Sequence, residues 1–220
     1  MEHLNTSVAQ NSLIKKLRTK GIKDEQVLEA FARVARHEFV DGAMFAQAYE
    51  DKALPIGFGQ TISQPYIVAL MTELLCLGKD DKILEIGTGS GFQTAILARF
   101  SRRIFTIERH AQLADASRRR LRDMGYANIV FKVGDGSIGW PQQGPFDRII
   151  VTAGAPVLPK TLLDQLATGG RMVIPTGERE RQSLMVYEKN EEGVRQFNVA
   201  DVVFVPLVGD NGWQRGTSPR

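Results

Sequence analysis

The chain has 220 residues, 43% of them hydrophobic and 24% charged, which is the usage of one globular domain or of one domain with a small appendage. That composition excludes a disordered chain, a collagen and a coiled-coil rod. The net charge of +3 is too small an excess to imply nucleic-acid binding by itself. No apolar run approaches the roughly 18 residues of a membrane span. The start, Met1-Glu2-His3-Leu4-Asn5, lacks the basic residues and apolar core of a secretory signal. A single cysteine, Cys76, rules out an internal disulfide and a cysteine-cluster metal site. His3, His37 and His110 lie far apart and show no zinc spacing. The expectation is a soluble cytoplasmic protein, monomeric, without metal, membrane or nucleic-acid partner. The densest basic patch, Arg118-Arg119-Arg120 with Arg122, reads as a solvated helix face rather than an RNA contact.

The chain to about Lys52 looks helical. Val27, Leu28, Phe31, Val34 and Ala35 share one helical face, and Asp24 can cap its start. Leu54 to Gln64 (LPIGFGQTISQ) has the proline, glycines and small polar residues of an ordered loop. Pro65 opens a second helix, with Ile67, Leu70, Met71, Leu74 and Leu75 on its apolar face. Cys76 falls in this apolar stretch and reads as a buried core thiol. From Lys82 short apolar strands alternate with helices. Strands are expected at Ile83–Ile86, Ile104–Ile107, Ile129–Val133, Arg148–Thr152, Arg171–Ile174 and Leu184–Tyr187, with a last extended segment at Phe197–Leu207. Helices are expected at Phe92–Phe100, Ala111–Met124 (with Gly125 as its stop) and around Leu162–Leu166. This alternation predicts an α/β fold, a Rossmann-like doubly wound, mostly parallel sheet. The last strands lack intervening helices, so an antiparallel edge is expected. The domain reading is an N-terminal helical extension over 1–52, a main domain over 53–208 and a tail over 209–220 with little core material.

One local signal carries chemistry. Glu85-Ile86-Gly87-Thr88-Gly89-Ser90-Gly91 follows a strand and opens a helix. Glycines there allow a sharp turn and the close approach of a ligand. The spacing is Gly-x-Gly-x-Gly with no following lysine, so it is no P-loop. Glu108 ends the next strand, where such folds bind ribose hydroxyls. Asp135, in Gly134-Asp135-Gly136, ends the strand after that. Three acidic residues at successive strand ends line the edge of the sheet where ligands bind. A nucleoside cofactor is the reading, with a nicotinamide as the lesser alternative.

These spacings resemble the class I S-adenosylmethionine-dependent methyltransferases. Upstream, Leu54-Pro55-Ile56-Gly57-Phe58-Gly59-Gln60-Thr61-Ile62-Ser63-Gln64-Pro65 is similar to the signature loop of protein-L-isoaspartate O-methyltransferases. Arg36-His37-Glu38-Phe39-Val40, Ala48-Tyr49-Glu50-Asp51, Gly169-Gly170-Arg171-Met172-Val173-Ile174-Pro175 and Phe204-Val205-Pro206-Leu207 resemble that family too. The resemblance implies S-adenosyl-L-methionine as cofactor and S-adenosyl-L-homocysteine as product. It implies cofactor contacts from Gly87, Thr88, Gly89, Ser90 and Gly91, from Glu108 and Arg109, and from Asp135 and Gly136. Glu108 would take the ribose hydroxyls and Asp135 the adenine amino group. Glu85 would hold the methionine amino group or brace the glycine loop.

The implied substrates are isoaspartyl-containing proteins and peptides, and the implied reaction is methylation of the free α-carboxylate. A carboxylate is already nucleophilic at pH 7, so no general base is required, and catalysis rests on placement and partial desolvation. Ser63 is the residue implied to aim that carboxylate, and capping the helix at Pro65 is its structural alternative. Ile62 and Val205–Leu207 are candidate peptide contacts, with core packing favoured for Val205 and Leu207. His37 reads as a hydrogen-bonded structural histidine. Gly154, Ser137-Ile138 and Val208 depart from the family pattern. Asn211-Gly212 is a succinimide-prone pair in a segment expected to be mobile, hence a candidate for self-methylation. The rivals are a class I methyltransferase for RNA or a small molecule, and a non-catalytic module that recognises aspartyl damage.

Overall fold

The computed structural model describes residues 2–214, with side chains described from Thr6 onward. The positions of His3 and of tail residues 215–220 therefore lie outside the described side chains. Two helices come first, α1 (Glu2–Thr19) and α2 (Glu25–Arg33). Asp24 caps α2 as expected, its Oδ1 accepting the Gln26 N–H at 2.8 Å. The helical reading fails beyond Arg33. Val34 and Ala35 are extended, which keeps Val34 buried while the chain turns. Only 3-10 turns follow, at Arg36–Phe39 and Gly42–Gln47.

The segment expected as a loop contains a hairpin. Strand β1 (Leu54–Gly57) pairs antiparallel with β2 (Gln60–Ile62), and Leu54 faces Ile62. Helix α3 (Pro65–Leu74) begins at Pro65 as expected. Cys76 corrects the sequence reading: it is exposed, not buried. It adopts φ 50° just past the helix, the left-handed position that turns a chain out of an α-helix.

Seven strands form the main sheet: β3 (Lys82–Ile86), β4 (Arg103–Glu108), β5 (Ile129–Val133), β6 (Phe146–Val151), β7 (Leu166–Gly177), β8 (Gln182–Asn190) and β9 (Gly193–Val202). Their order is β5-β4-β3-β6-β7-β8-β9. The first five in that order are parallel, and β8 and β9 are antiparallel. Helices α4 (Phe92–Leu97), α5 (Ala111–Asp123) and α6 (Lys160–Asp164) occupy the crossovers. On one sheet face Ile83, Ile104, Ile150 and Val173 pack under Met71 and Leu75 of the α3 region. On the other, Leu84, Phe105, Ile107 and Ile149 join Leu162 of α6. Full burial of each such side chain contributes roughly 1.5–3 kcal/mol. A further cluster joins Leu17, Phe31 and Phe39 of the N-terminal segment to Phe92 and Leu121, so that segment is built into the domain.

Two features of this topology place a site. The chain leaves β3 toward β4 on one side and returns to β6 on the other, which opens a crevice at the C-terminal ends of β3 and β6. The last extended segment also behaves differently from the sequence reading. Strand β9 stops at Val202, and the Phe204 N–H is donated to Gln182 Oε1. Residues 205–207 then pair with Gly154, whose N–H donates to Val205 O and whose carbonyl accepts the Leu207 N–H, both at 2.8 Å. That exchange swings Val205–Val208 over the crevice.

Candidate active site

The crevice holds a cavity of about 270 Å³. Its walls come from β2 and the following loop (Gln60–Ser63), the glycine turn (Ile86–Ser90), the end of β4 (Ile107–His110), Gly136, Thr152-Ala153 and Val205–Val208. A second cleft of about 510 Å³ adjoins it and shares Thr61, Ser63, Thr152 and Val205. The far side of this cleft is formed by Asp51–Ala53, Arg181 and Asp201–Phe204.

The glycines of the turn are required by contact as well as conformation. Gly87 has φ 98°, and a Cβ there would overlap Thr152 Oγ1. Thr152 Oγ1 lies 2.8 Å from the Gly87 carbonyl and so bolts the turn to the end of β6. Gly91 starts α4 at φ 89° and packs against Leu121 of α5. It therefore fixes the helix rather than the cavity wall, whereas Gly87, Thr88, Gly89 and Ser90 line the cavity.

Glu108 is buried at the cavity wall. Its Oε2 accepts the Gly89 N–H and its Oε1 accepts the His110 N–H, both at 2.9 Å. A carboxylate has about four acceptor positions, so two remain for a ligand. Arg109 and His110 follow it on the same wall. Phe58, exposed at the hairpin tip with φ 53°, places its ring 5.6 Å from that of His110. The hairpin thus reaches across to the β4 end.

Glu85 does not line the cavity, which favours its reading as a brace of the glycine loop over a direct contact. It is 0% exposed. On the central strand its side chain turns beneath the glycine loop, where Oε2 accepts from Thr94 Oγ1 at 2.6 Å and Thr106 Oγ1 at 2.7 Å. Thr88 Oγ1 lies 2.6 Å from Thr106 Oγ1, so this chain of hydroxyls braces the loop. Glu85 Oε1 has no hydrogen-bond partner among the described residues. Burial pushes the Glu85 carboxyl up to about 7 against the pull of its two threonine donors, and the nearby Glu108 charge adds to the rise.

Asp135 also stands apart from the lining, although its neighbour Gly136 is part of it. Its Oδ1 accepts from the Ser137 N–H and Ser137 Oγ at 2.8 and 2.7 Å. Its Oδ2 accepts the Asp210 N–H at 2.8 Å. The tail is therefore an ordered turn as far as it is described, not a mobile segment. Trp213 Nε1 donates to the Gly154 carbonyl at 3.0 Å, and the Arg179 guanidinium sits 4.7 Å from the Trp213 ring centroid.

Ser63 lines both the cavity and the cleft. It does not cap α3: the Tyr66 N–H of the first turn is taken by Asp51 Oδ1 at 2.9 Å. The Ser63 hydroxyl has no hydrogen-bond partner among the described residues, which leaves it available to a ligand. Ile62 is buried beside it and contributes to the cavity wall. His37 lies elsewhere, with Nδ1 2.7 Å from the Tyr49 hydroxyl, as a structural histidine would. The arginine patch is mostly a solvated helix face, as expected: Arg118, Arg119 and Arg122 are exposed, and Arg120 alone of the four turns partly inward. Arg120 donates to the Ser90 carbonyl at 2.9 Å, and Arg118 lies over the Phe131 ring.

Sequence reasoning missed Gln60, Thr61, His110, Thr152, Ala153 and Val208 as wall residues. Their only sequence signal is adjacency to the glycine-turn, Glu108 and Ser63 segments or to the ends of later strands.

Comparison with known proteins agrees with this geometry. The family model described as protein-L-isoaspartate (D-aspartate) O-methyltransferase matches residues 8–212. Protein-L-isoaspartate O-methyltransferase 1 of Syntrophobacter fumaroxidans is 51% identical over 96% of this chain and 99% of its own. The protein-L-isoaspartate O-methyltransferase of Dictyoglomus turgidum is 50% identical over 93% of each. Among solved structures, a protein-L-isoaspartate O-methyltransferase superposes with a TM-score of 0.83 at 28% identity, over 92% of this chain and 67% of that one. A putative Plasmodium falciparum protein-L-isoaspartate O-methyltransferase in complex with S-adenosyl-L-homocysteine gives a TM-score of 0.78 at 27% identity, over 90% and 97%. By sequence over nearly its whole length and by fold, this chain belongs to the protein-L-isoaspartate (D-aspartate) O-methyltransferase family.

Proposed function

We propose that the chain transfers the methyl group of S-adenosyl-L-methionine to the free α-carboxylate of L-isoaspartyl residues in damaged proteins and peptides. The observation that carries the mechanism is the Ser63 hydroxyl, without a hydrogen-bond partner among the described residues, on the wall shared by the cavity and the adjoining cleft. The cavity suits the cofactor and the cleft suits an extended peptide.

The residues present fit the cofactor. Glu108 retains two acceptor positions for two ribose hydroxyls. Gly136 approaches Ile86 so closely that a Cβ would overlap it, which leaves a flat floor beside Asp135. Asp135 Oδ2 has one described donor and keeps acceptor capacity for the adenine amino group. Arg109, His110 and Phe58 would cover the adenine side. Bound there, the cofactor would supply an electrophilic methyl on a sulfonium.

The protein's part is placement. A hydrogen bond from Ser63 Oγ holds one carboxylate oxygen of the substrate and directs the other at the methyl carbon. Ile62 and Val205 exclude water around the reacting oxygen, which strengthens its attack. With the cofactor bound, a carboxylate oxygen so placed would form the C–O bond as the S–C bond breaks and a neutral thioether leaves, and the protein would have no proton to move. The following backbone nitrogen can attack the ester carbonyl and expel methanol, a far easier departure than that of oxygen from a carboxylate, so the succinimide re-forms without further enzyme and opens with water partly to normal aspartate. The proposal includes a monomeric, cytoplasmic enzyme. No helix among the described residues is long and apolar enough to cross a membrane, and the single unpaired cysteine suits a reducing compartment.

The test is Ser63→Ala. Turnover on an isoaspartyl peptide should fall about 10- to 100-fold, the order expected when one orienting hydrogen bond is lost. Affinity for S-adenosyl-L-homocysteine should stay unchanged by calorimetry. Full turnover in a folded variant would remove Ser63 from the mechanism.

A further inference from the structure

Arg36 lies outside the cavity wall, yet it is only 1% exposed. Its guanidinium reaches three backbone carbonyls. Nη1 donates to Ala48 O at 2.5 Å, and Nη2 donates to Lys52 O at 3.2 Å and to Ser63 O at 2.9 Å. Its face lies 5.7 Å from the Phe92 ring centroid. No carboxylate forms a direct ion pair with it among the described residues. Burial lowers its pKa to about 10, partly offset by the Asp51 charge, so it remains a cation at neutral pH.

A buried cation without a direct counter-ion is costly. Neutral loop carbonyls from two separate segments take its two terminal nitrogens, while the buried Nε has no hydrogen-bond partner among the described residues. A planar fork can do this and an ammonium cannot. The same two segments are laced a second time. Gln64 Nε2 donates to Asp51 O at 3.0 Å, and Asp51 Oδ1 accepts the Tyr66 N–H at 2.9 Å. The Asp51 carboxylate is itself held by Lys20 Nζ at 2.6 Å. Residues 48–52 and 63–66 thus form one stiff unit with Arg36 at its centre, and one of the three carbonyls belongs to Ser63 itself.

We propose that Arg36 is a positioning residue for Ser63: by gripping the Ser63 carbonyl it sets where the hydroxyl meets the substrate carboxylate. This rests on the assignment of Ser63 under Proposed function. A displacement of about 1 Å at a reacting group can lower a rate on the order of 100-fold, so the grip affects turnover well before it affects cofactor binding.

The test is a double-mutant cycle with Arg36→Lys, Ser63→Ala and the pair, read as kcat on an isoaspartyl peptide at saturating cofactor. Calorimetry with S-adenosyl-L-homocysteine and thermal unfolding accompany it. Arg36→Lys should lower kcat about tenfold or more, and the pair should be no slower than Ser63→Ala alone, because coupled groups are non-additive. Cofactor affinity should change less than about twofold, since Arg36 does not touch that cavity. Where the lysine variant unfolds, Arg36→Gln, which offers a neutral donor in the same direction, is read by the same criteria. An unchanged kcat, or the same loss in both Ser63 backgrounds, overturns the inference and leaves Arg36 merely structural. Full activity of Ser63→Ala alone is a separate result, which overturns the underlying assignment and the inference with it.

Discussion

The backbone N–H of Asp210 donates to Asp135 Oδ2 at 2.8 Å, so the last described turn of the chain closes onto the end of β5. Gly209 comes so near that a Cβ there would overlap the Asp135 carboxylate. Val208, on the cavity wall, is held immediately before this closure. Gly209→Ala should therefore loosen the adenine side of the site. Overpacking of this kind costs about 1–3 kcal/mol, so affinity for S-adenosyl-L-homocysteine should fall roughly tenfold, with a lowered Tm. Calorimetry and thermal unfolding check this, and unchanged affinity would show that the tail does not shape the cavity.

Asn211-Gly212 belongs to the same turn. The Gly212 nitrogen, which would have to attack the Asn211 side chain, donates instead to Gly209 O at 3.1 Å. The Asn211 N–H donates to Ser137 Oγ at 2.9 Å. Succinimide formation needs this turn to open first. In aged samples Asn211 should therefore convert about tenfold more slowly in the parent chain than in Gly209→Ala, a difference set by the free energy of local opening. Peptide mapping that finds equal rates would contradict this.

Glu108 joins the glycine turn to the start of α5 and offers the remaining acceptor positions to the ribose. Hydrogen bonds to a charged group contribute about 1.5–3 kcal/mol each, so Glu108→Ala should weaken cofactor binding on the order of 100-fold. Glu108→Gln keeps one acceptor and should fall between. Peptide KM at saturating cofactor should hold for both, because Glu108 does not line the peptide cleft.

Glu85 supplies a pH signature. Its carboxyl is raised from an ordinary 4.5 to about 7, first by burial, so between these values the folded chain holds a proton that the unfolded chain has lost. Folding takes up that proton, and the Glu85 contribution makes stability fall as pH rises through this window. The raised carboxyl corresponds to about 3 kcal/mol between the ends of the window. Glu85→Gln is neutral throughout and lacks this slope. Its Tm relative to the parent should rise from about pH 5 to about pH 8, and parallel Tm profiles would exclude the assignment.

Much of this was legible in the sequence because it is local. A short apolar strand, a glycine turn and an acidic residue at the next strand end are read from neighbours, and the structure has Gly87–Ser90 and Glu108 on the cavity wall. What was not legible depends on distant partners. Glu85 sits on a strand buried on both faces, where alternation cannot say whether a side chain faces a cavity or a neighbouring helix. Besides the neighbouring Ser137, Asp135 accepts from a backbone N–H at Asp210, far along the chain, and no pattern around either residue announces that contact. The hairpin at Leu54–Ile62 was hidden by the glycines that make its tip. Cys76 was misread because an apolar run shows neither where its helix ends nor which residue takes the left-handed position. Arg36 stood out only as the first residue of a family-like run, and nothing in that run shows that its guanidinium gathers carbonyls from Ala48, Lys52 and Ser63.

The central claim is methyl transfer to damaged backbone carboxylates. Its most direct test uses labelled S-adenosyl-L-methionine and two synthetic peptides that differ only in L-isoaspartate versus L-aspartate. Base-labile label on the isoaspartyl peptide alone is the expected result, since an ester at that carboxylate is hydrolysed by mild base. Label on neither peptide, with tight cofactor binding, or equal label on both, would contradict the account.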